Sequence, residues 1–213
     1  PNNFAFYKVA GKPFVVSEWN NCFPNEYRVE GPLIMAAYAN LQDFDGVLQF
    51  SFNSESFKAP MTDNFDISAW PNVLGQWPAA ALLFYRGDVK QSENVLEEIL
   101  SDKDIFGPIY EDEPIADDPY LPLITKTQRK FVKTPTEVKP PLTGGASKFH
   151  DKTKKIIVSE GGELTWDYGR GIFKIETTRT QGAIGFMKGE VITLPDLTLK
   201  PNTKFSSIVL SSL

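Results

Sequence analysis

The sequence is poor in cysteine and histidine, with one of each among its 213 residues, Cys22 and His150. One cysteine cannot form an internal disulfide bond, and these two residues fall short of the several Cys and His ligands that a zinc site usually draws on. A Ser-His-Asp triad would depend on His150, which lies in a stretch rich in Gly, Lys and Thr and is expected to be exposed. The composition therefore argues against internal disulfide, zinc and serine-triad chemistry.

Basic residues and long apolar runs are also scarce. The chain carries 22 Lys and Arg against 27 Asp and Glu, which gives a net charge of −5 at pH 7. Binding to nucleic acid or to an anionic membrane surface needs a basic face. No segment approaches the roughly 18 consecutive apolar residues of a membrane span. We therefore expect no nucleic acid and no membrane among the partners of this chain.

The two ends of the sequence indicate a piece of a longer protein. The first residue is Pro1 rather than Met, no signal peptide is visible, and residues 208–213 resemble a strand that is cut short. The compartment stays open for this reason, with secreted and periplasmic locations included.

A strand, a helix and a second strand are predicted within the first 52 residues. Residues 13–17 form a short apolar run typical of a buried strand, and residues 47–52 form another. Pro32 should either kink the helix predicted over 25–41 or start its main segment. The apolar stripe of that helix consists of Leu33, Ile34, Ala37, Tyr38 and Leu41. Such a βαβ unit predicts two parallel strands whose carboxyl ends share the sheet edge that carries active sites in α/β proteins.

Two further helices are predicted on either side of this unit. Residues 4–10 are read as the tail of a helix that ends at Gly11. Residues 70–86 are strongly helix-forming, with Pro71 or Pro78 in the first turn and Gly87 as the stop.

The composition changes after about residue 88. Prolines recur up to Pro141, which predicts a long connector with one helical turn near residues 92–100. Short runs over 155–159, 163–167, 172–177, 181–186 and 190–194 then predict an antiparallel sheet. The expected organisation is an α/β part over 1–95, a connector over 96–150, and an incomplete, sandwich-like β-domain over 151–213.

The end of the first strand carries the residues with the strongest chemical signal. Glu18, Trp19 and Asn20 follow an apolar run, and Phe50 lies at the end of the second strand. Aromatic rings stack on sugar rings, and side-chain amides both donate to and accept from hydroxyl groups. Glycoside cleavage uses two carboxylates around the scissile bond. Glu18 is therefore a candidate catalytic residue, and Trp19, Asn20 and Phe50 are candidate substrate contacts.

The segment from Lys12 to Asn20 resembles the seventh-strand segment of clan A glycoside hydrolases, whose catalytic domain is a (β/α)8 barrel. The match extends through residues 23–28, and residues 46–50 would be the eighth strand. The resemblance implies that Glu18 is the nucleophile of a retaining mechanism and that no metal or organic cofactor is needed. Residues 155–194 resemble the β-domain that follows the barrel in some bacterial members.

The chain departs from this family in what precedes residue 13. The family takes its acid/base glutamate from the fourth strand, and the sequence has no room for strands one to six. The resemblance therefore implies the C-terminal portion of a barrel, with a carbohydrate substrate and the missing part of the barrel as partners, and no turnover by this chain alone. A non-catalytic carbohydrate-binding module and a structural assembly part stay open as alternatives.

Overall fold

The structure is a computed structural model that describes residues 2–53, 63–106, 119–133 and 148–213. Within these ranges the molecule is mixed α/β, with its strands in four sheets. Residues 54–62 and the proline-rich stretches 107–118 and 134–147 of the predicted connector lie outside the described residues. None of the helices in the described ranges is long and apolar enough to cross a membrane.

The predicted βαβ unit is confirmed near the start of the chain. After a short helix α1 (Asn2–Ala5), strand β1 (Val15–Trp19) is followed by helix α2 (Gly31–Leu41) and strand β2 (Gly46–Gln49). The two strands pair in parallel, with a register shift between Val16 and Trp19. Pro32 lies in the first turn of α2, so it starts the main helix rather than kinking it.

Three predicted boundaries in this region are wrong. The first helix ends at Ala5 rather than near Gly11, because the chain turns there and Val9 forms a parallel bridge with Arg129. The segment before α2 is a separate 3-10 helix, Arg28–Glu30, rather than the first turns of one helix from residue 25. Strand β2 stops at Gln49, because Ser51 exchanges backbone hydrogen bonds with the loop near Phe65 and Ile67 instead of continuing the ladder.

The helix predicted over 70–86 is two helices, α3 (Pro71–Leu74) and α4 (Trp77–Arg86). Pro71 and Pro78 each lie in the first turn of one of them, where a missing N–H costs nothing. Gly87 ends α4 with a φ of 62°, as predicted, and its N–H contacts the carbonyls of the last turn.

The predicted helical turn near residues 92–100 is wrong, because this stretch is a strand. Strand β3 (Val95–Ser101) leads into helix α5 (Asp102–Phe106) and pairs in parallel with strand β4 (Lys126–Val132). The acidic side chains of β3 are matched across the ladder: Gln128 donates to Glu97 at 2.7 Å, and Arg129 to Glu98 at 2.7 Å. The parallel strands of the described residues thus form two separate two-stranded sheets, and no barrel is seen among them.

The predicted antiparallel sheet is confirmed in the last part of the chain. The strands of this part are β5 His150–Asp151, β6 Ile156–Val158, β7 Leu164–Asp167, β8 Ile172–Glu176, β9 Thr180–Gly185, β10 Ile192–Thr193, β11 Thr198–Leu199 and β12 Ser206–Ser211. Six of them form the sheet in the order β12-β9-β8-β7-β6-β5, while β10, in the run predicted over 190–194, pairs with β11 apart from it.

Helix α2 is buried on two sides. Met35 and Ala39 pack with Val16 in a cluster beneath β1 and β2. The stripe that contains Leu33 and Tyr38 faces the other way and packs in a larger cluster with the antiparallel sheet. A third cluster covers the opposite face of that sheet. Side chains from both predicted main parts thus share one core, and the predicted three-part division stays a prediction.

Gln42 connects the βαβ unit to β4 and to the segment before it. Its side chain is fully buried just after α2. Its Nε2 donates to the carbonyls of Pro122 at 2.6 Å and Thr125 at 2.7 Å, and its Oε1 accepts the N–H of Thr127 at 2.9 Å. All the polar groups of this amide are therefore used inside the protein.

Candidate active site at the carboxyl ends of β1 and β2

The carboxyl ends of β1 and β2 meet at the sheet edge where the sequence predicted the catalytic and substrate-binding residues. Trp19 lies opposite Gln49, and the Phe50 N–H donates to the Trp19 carbonyl at 3.0 Å. Glu18 lies within β1, one residue from its end, rather than beyond the strand. The predicted residues Glu18, Trp19, Asn20 and Phe50 are thus brought to one edge.

The register shift in β1 turns Glu18 away from the helices. Val16 and Trp19 both pack in the cluster beneath the sheet, although a regular strand would send residues three apart to opposite faces. Since neighbouring side chains point to opposite faces, Glu18 lies on the other, open face, where it is exposed. Its carboxylate makes no hydrogen bond or ion pair with any other described residue.

The face that carries Glu18 is uncovered and partly apolar. Val15 is 50% exposed and Leu48 is 53% exposed, one on each strand. Parallel sheets are normally covered on both faces, so exposed aliphatic side chains on a parallel pair are unusual.

Next to β2, a cavity of about 330 Å³ lies between the strand and α4, and it is lined by Trp77 and Phe84. The indole N–H of Trp77 is buried and has no acceptor in the described part of the chain.

Asn20 acts as a clamp between the two strand ends. Its Nδ2 donates to the carbonyls of Phe50 at 2.5 Å and Phe65 at 2.6 Å, and its Oδ1 accepts from Gln49 at 3.1 Å. Both amide hydrogens are therefore directed at backbone carbonyls. Asn20 holds the strand ends and the loop around Phe65 together, and its amide has no donor left for a substrate.

Aromatic side chains surround this edge. Phe50 is 43% exposed and makes an edge-to-face contact with Phe65, at 5.8 Å between ring centroids. On the other side, the Arg28 guanidinium lies 3.6 Å from the centroid of the Trp70 ring and also contacts Phe23. Arg28 is only 7% exposed, and this burial lowers the pKa of its guanidinium group. This cation is held by aromatic faces rather than by a described carboxylate.

Two residues outside the predicted catalytic and substrate-binding set line a cavity beside β1. The cavity has a volume of about 400 Å³, and Asn21 and Glu30 line it together with Trp19. Glu30 is half-buried, and burial raises the pKa of its carboxyl group above the ordinary value of 4.5. In the sequence, only the position of Glu30 directly before Gly31 and Pro32, where a helix starts, could have drawn attention to it. Its proximity to Asn21 depends on the fold.

The expectation that His150 is exposed is wrong. It is only 5% exposed, because Tyr120 and Tyr168 pack against its ring. Its Nε2 lies 3.1 Å from the Tyr168 hydroxyl oxygen. In the described ranges, no group of three or more His, Cys, Asp or Glu side chains is placed to hold a metal ion.

Comparison of the chain with protein-family models, with curated proteins and with solved structures found no match.

Proposed function

We propose that this chain is part of a retaining glycoside hydrolase that acts on a poly- or oligosaccharide, with Glu18 as its nucleophile. In this proposal β1, α2, β2 and α4 are the last strands and helices of a (β/α)8 barrel. The acid/base carboxylate comes from the part of the barrel outside this sequence.

The observation that carries the proposal is the position of Glu18 on the open face of a parallel pair of strands. The carboxylate is exposed, is unpaired among the described residues, and lies next to Trp19 at the carboxyl edge. Catalytic residues of parallel α/β folds lie at this edge. The exposed Val15 and Leu48 on the same face support the proposal, because further barrel strands would cover them.

The proposed chemistry needs little more from this chain than one placed carboxylate. An oxygen of Glu18 bonds to the anomeric carbon while the glycosidic C–O bond breaks, and the departing oxygen takes its proton from the partner acid. Water, deprotonated by that same partner, then releases the sugar from Glu18. The clamp formed by Asn20 keeps the two strand ends in register, and Phe50 offers an aromatic face to the sugar.

A 2-deoxy-2-fluoro glycoside with a dinitrophenolate leaving group tests the nucleophile in the full-length protein. Its leaving group needs no acid catalyst, so labelling depends on the nucleophile. We expect peptide mapping to find the covalent sugar on Glu18, and Glu18→Gln to abolish labelling. The matched control Glu26→Gln, at an exposed carboxylate in the following loop, should be labelled like the parent. A label on another residue would refute the assignment.

The exposed aromatic rings favour a second candidate, a non-catalytic carbohydrate-binding module. Phe50 and Phe65 form an exposed pair beside the strand ends. Such rings can hold a sugar without any reaction, and Glu18 would then only accept hydrogen bonds from hydroxyl groups. Reversible binding of the fluoroglycoside without covalent labelling would support this alternative against the hydrolase.

A further inference from the structure

The cavity beside β1 contains polar groups that the rest of the protein leaves unused. Its volume is about 400 Å³, enough for a single sugar ring, and its wall includes Trp19, Asn21, Glu30 and the apolar Met35. Asn20 also borders it, but its amide hydrogens are bonded to backbone carbonyls. The binding capacity of this cavity therefore depends on the other polar residues.

Glu30 has no structural task that explains its half-buried position. It precedes α2 at the position where side chains often cap a helix, yet it makes no capping hydrogen bond. Its carboxyl group also makes no hydrogen bond or ion pair with any other residue in the described ranges. Holding a carboxyl group partly out of water without a partner is unfavourable. A ligand with hydroxyl groups would supply the missing hydrogen bonds.

The groups opposite Glu30 are fixed close to it by the start of α2. A Cβ atom at Gly31 would lie 3.0 Å from the Asn21 Nδ2 and 3.0 Å from the Trp19 ring, so a larger residue there would press on both side chains. The Trp19 Nε1 is buried and has no acceptor in the described part of the chain. Asn21 likewise forms no hydrogen bond to a described residue. A carboxyl group, an amide, an indole and an apolar wall therefore surround one space.

We propose that this cavity is a sugar-binding subsite, in which Glu30 and Asn21 bind hydroxyl groups of one pyranose unit against the Trp19 side chain. The inference rests on the proposed function, because that function identifies the ligand as a carbohydrate. It assigns a binding role to Glu30 and Asn21, which lie apart from the nucleophile, and it gives Asn20 only the role of a clamp. A neutral pyranose suits the site, since its hydroxyl groups both donate and accept.

The test uses the 15N-labelled 213-residue chain, in which four tryptophan indole signals are expected. The Trp19 signal is assigned with Trp19→Phe, and the probes are cellotriose, xylotriose, mannotriose, maltotriose and β-1,4-galactotriose. We expect at least one of them to shift the Trp19 indole signal in a saturable way. Loss of a hydrogen bond to a carboxylate should weaken that binding about tenfold in Glu30→Gln.

Two variants control this measurement. Glu26→Gln removes an exposed carboxylate close in sequence and should bind within about twofold of the parent, since a rim charge contributes little. Asn21→Ala tests the amide independently and should also weaken binding. Saturable binding that is unchanged in both Glu30→Gln and Asn21→Ala overturns the subsite, as does the absence of any Trp19 shift.

The outcomes separate this inference from the proposed function. Covalent labelling of Glu18 without a sugar-dependent Trp19 shift would overturn the subsite and leave the hydrolase proposal standing. A shift that depends on Glu30, without labelling of Glu18, would support the subsite and reject the nucleophile. A shift caused by glucosamine but by none of the neutral sugars would overturn the neutral ligand class, because it would show that Glu30 selects a cation.

Discussion

Replacement of Asp88 by alanine is expected to show how helix α4 is held to the antiparallel sheet. The Asp88 side chain is inaccessible to solvent and lies two residues beyond α4. It accepts hydrogen bonds from the Arg86 Nη2 at 2.5 Å and from the Thr180 hydroxyl at 2.6 Å. Arg86 also donates to the Ser212 carbonyl at 2.6 Å. The buried Asp88 thus links α4 to β9, and its partner Arg86 links α4 to the end of β12.

The expected loss of stability follows from the polar groups that the substitution leaves without a partner. In Asp88→Ala the Arg86 guanidinium, whose side chain is only 18% exposed, loses its counter-ion, and the Thr180 hydroxyl loses an acceptor. Removing one partner of a buried ion pair costs about 3–5 kcal/mol. Arg86 keeps its bonds to the end of β12 and has some access to water. We therefore expect a loss near the lower end, about 3 kcal/mol in the free energy of unfolding.

Urea unfolding, followed by circular dichroism and by tryptophan fluorescence, measures this loss. The matched control is Glu190→Ala, which also removes one carboxylate paired with an arginine. Its partner Arg170 lies 3.3 Å away, and both side chains are about half exposed. Such a pair contributes about 0–1 kcal/mol. Equal destabilisation by the two substitutions would refute the argument that burial of Asp88 determines its contribution.

Two further predictions concern buried polar groups. Gln42→Ala should destabilise the chain by about 3–5 kcal/mol in the same urea assay, because it leaves three buried backbone groups without partners. The control Gln128→Ala removes a partly exposed amide and should cost about 1 kcal/mol or less. Because burial raises the pKa of Glu30, the folded chain should lose stability as the pH rises from about 4.5 through that raised pKa. The variant Glu30→Gln should therefore be more stable than the parent at neutral pH and equally stable in acid. A stability difference between the two that does not change with pH would contradict this prediction.

Local sequence patterns were sufficient to predict the elements whose contacts are close along the chain. Apolar spacing predicted α2, and Pro32 and Gly87 marked the start of one helix and the end of another. Short runs at close spacing with glycine-rich turns predicted strands β6 to β9, since each of these pairs with its neighbour along the chain. In these cases the residues that determine the structure lie within one window of sequence.

Contacts between distant segments explain what the sequence did not predict. Strand β3 contains Glu97 and Glu98 in its middle, which favours a helix or a loop until their partners on β4 are known. Those partners lie 31 residues away. Likewise the second buried face of α2, with Met35 and Ala39, became visible only with β1 and β2 packed on it.

The candidate site shows the same division. Its location at one sheet edge followed from the βαβ pattern, and Glu18, Trp19, Asn20 and Phe50 do lie there. The role of Asn20 could not be predicted, because the carbonyl of Phe65, which its amide contacts, lies 45 residues away. Glu30 gained its interest only from burial and from the absence of a capping bond.

Because α2 is buried on two faces, its alanines determine how closely β1 and β2 on one side and the larger cluster on the other can approach the helix. Ala36 and Ala37 belong to the cluster shared with α4 and the antiparallel sheet, while Ala39 belongs to the cluster beneath β1 and β2. A larger side chain at any of these positions would push the strand that holds Glu18 apart from the helix, or the helix from the sheet. The distance of Glu18 from the helix layer therefore depends on small side chains along one helix.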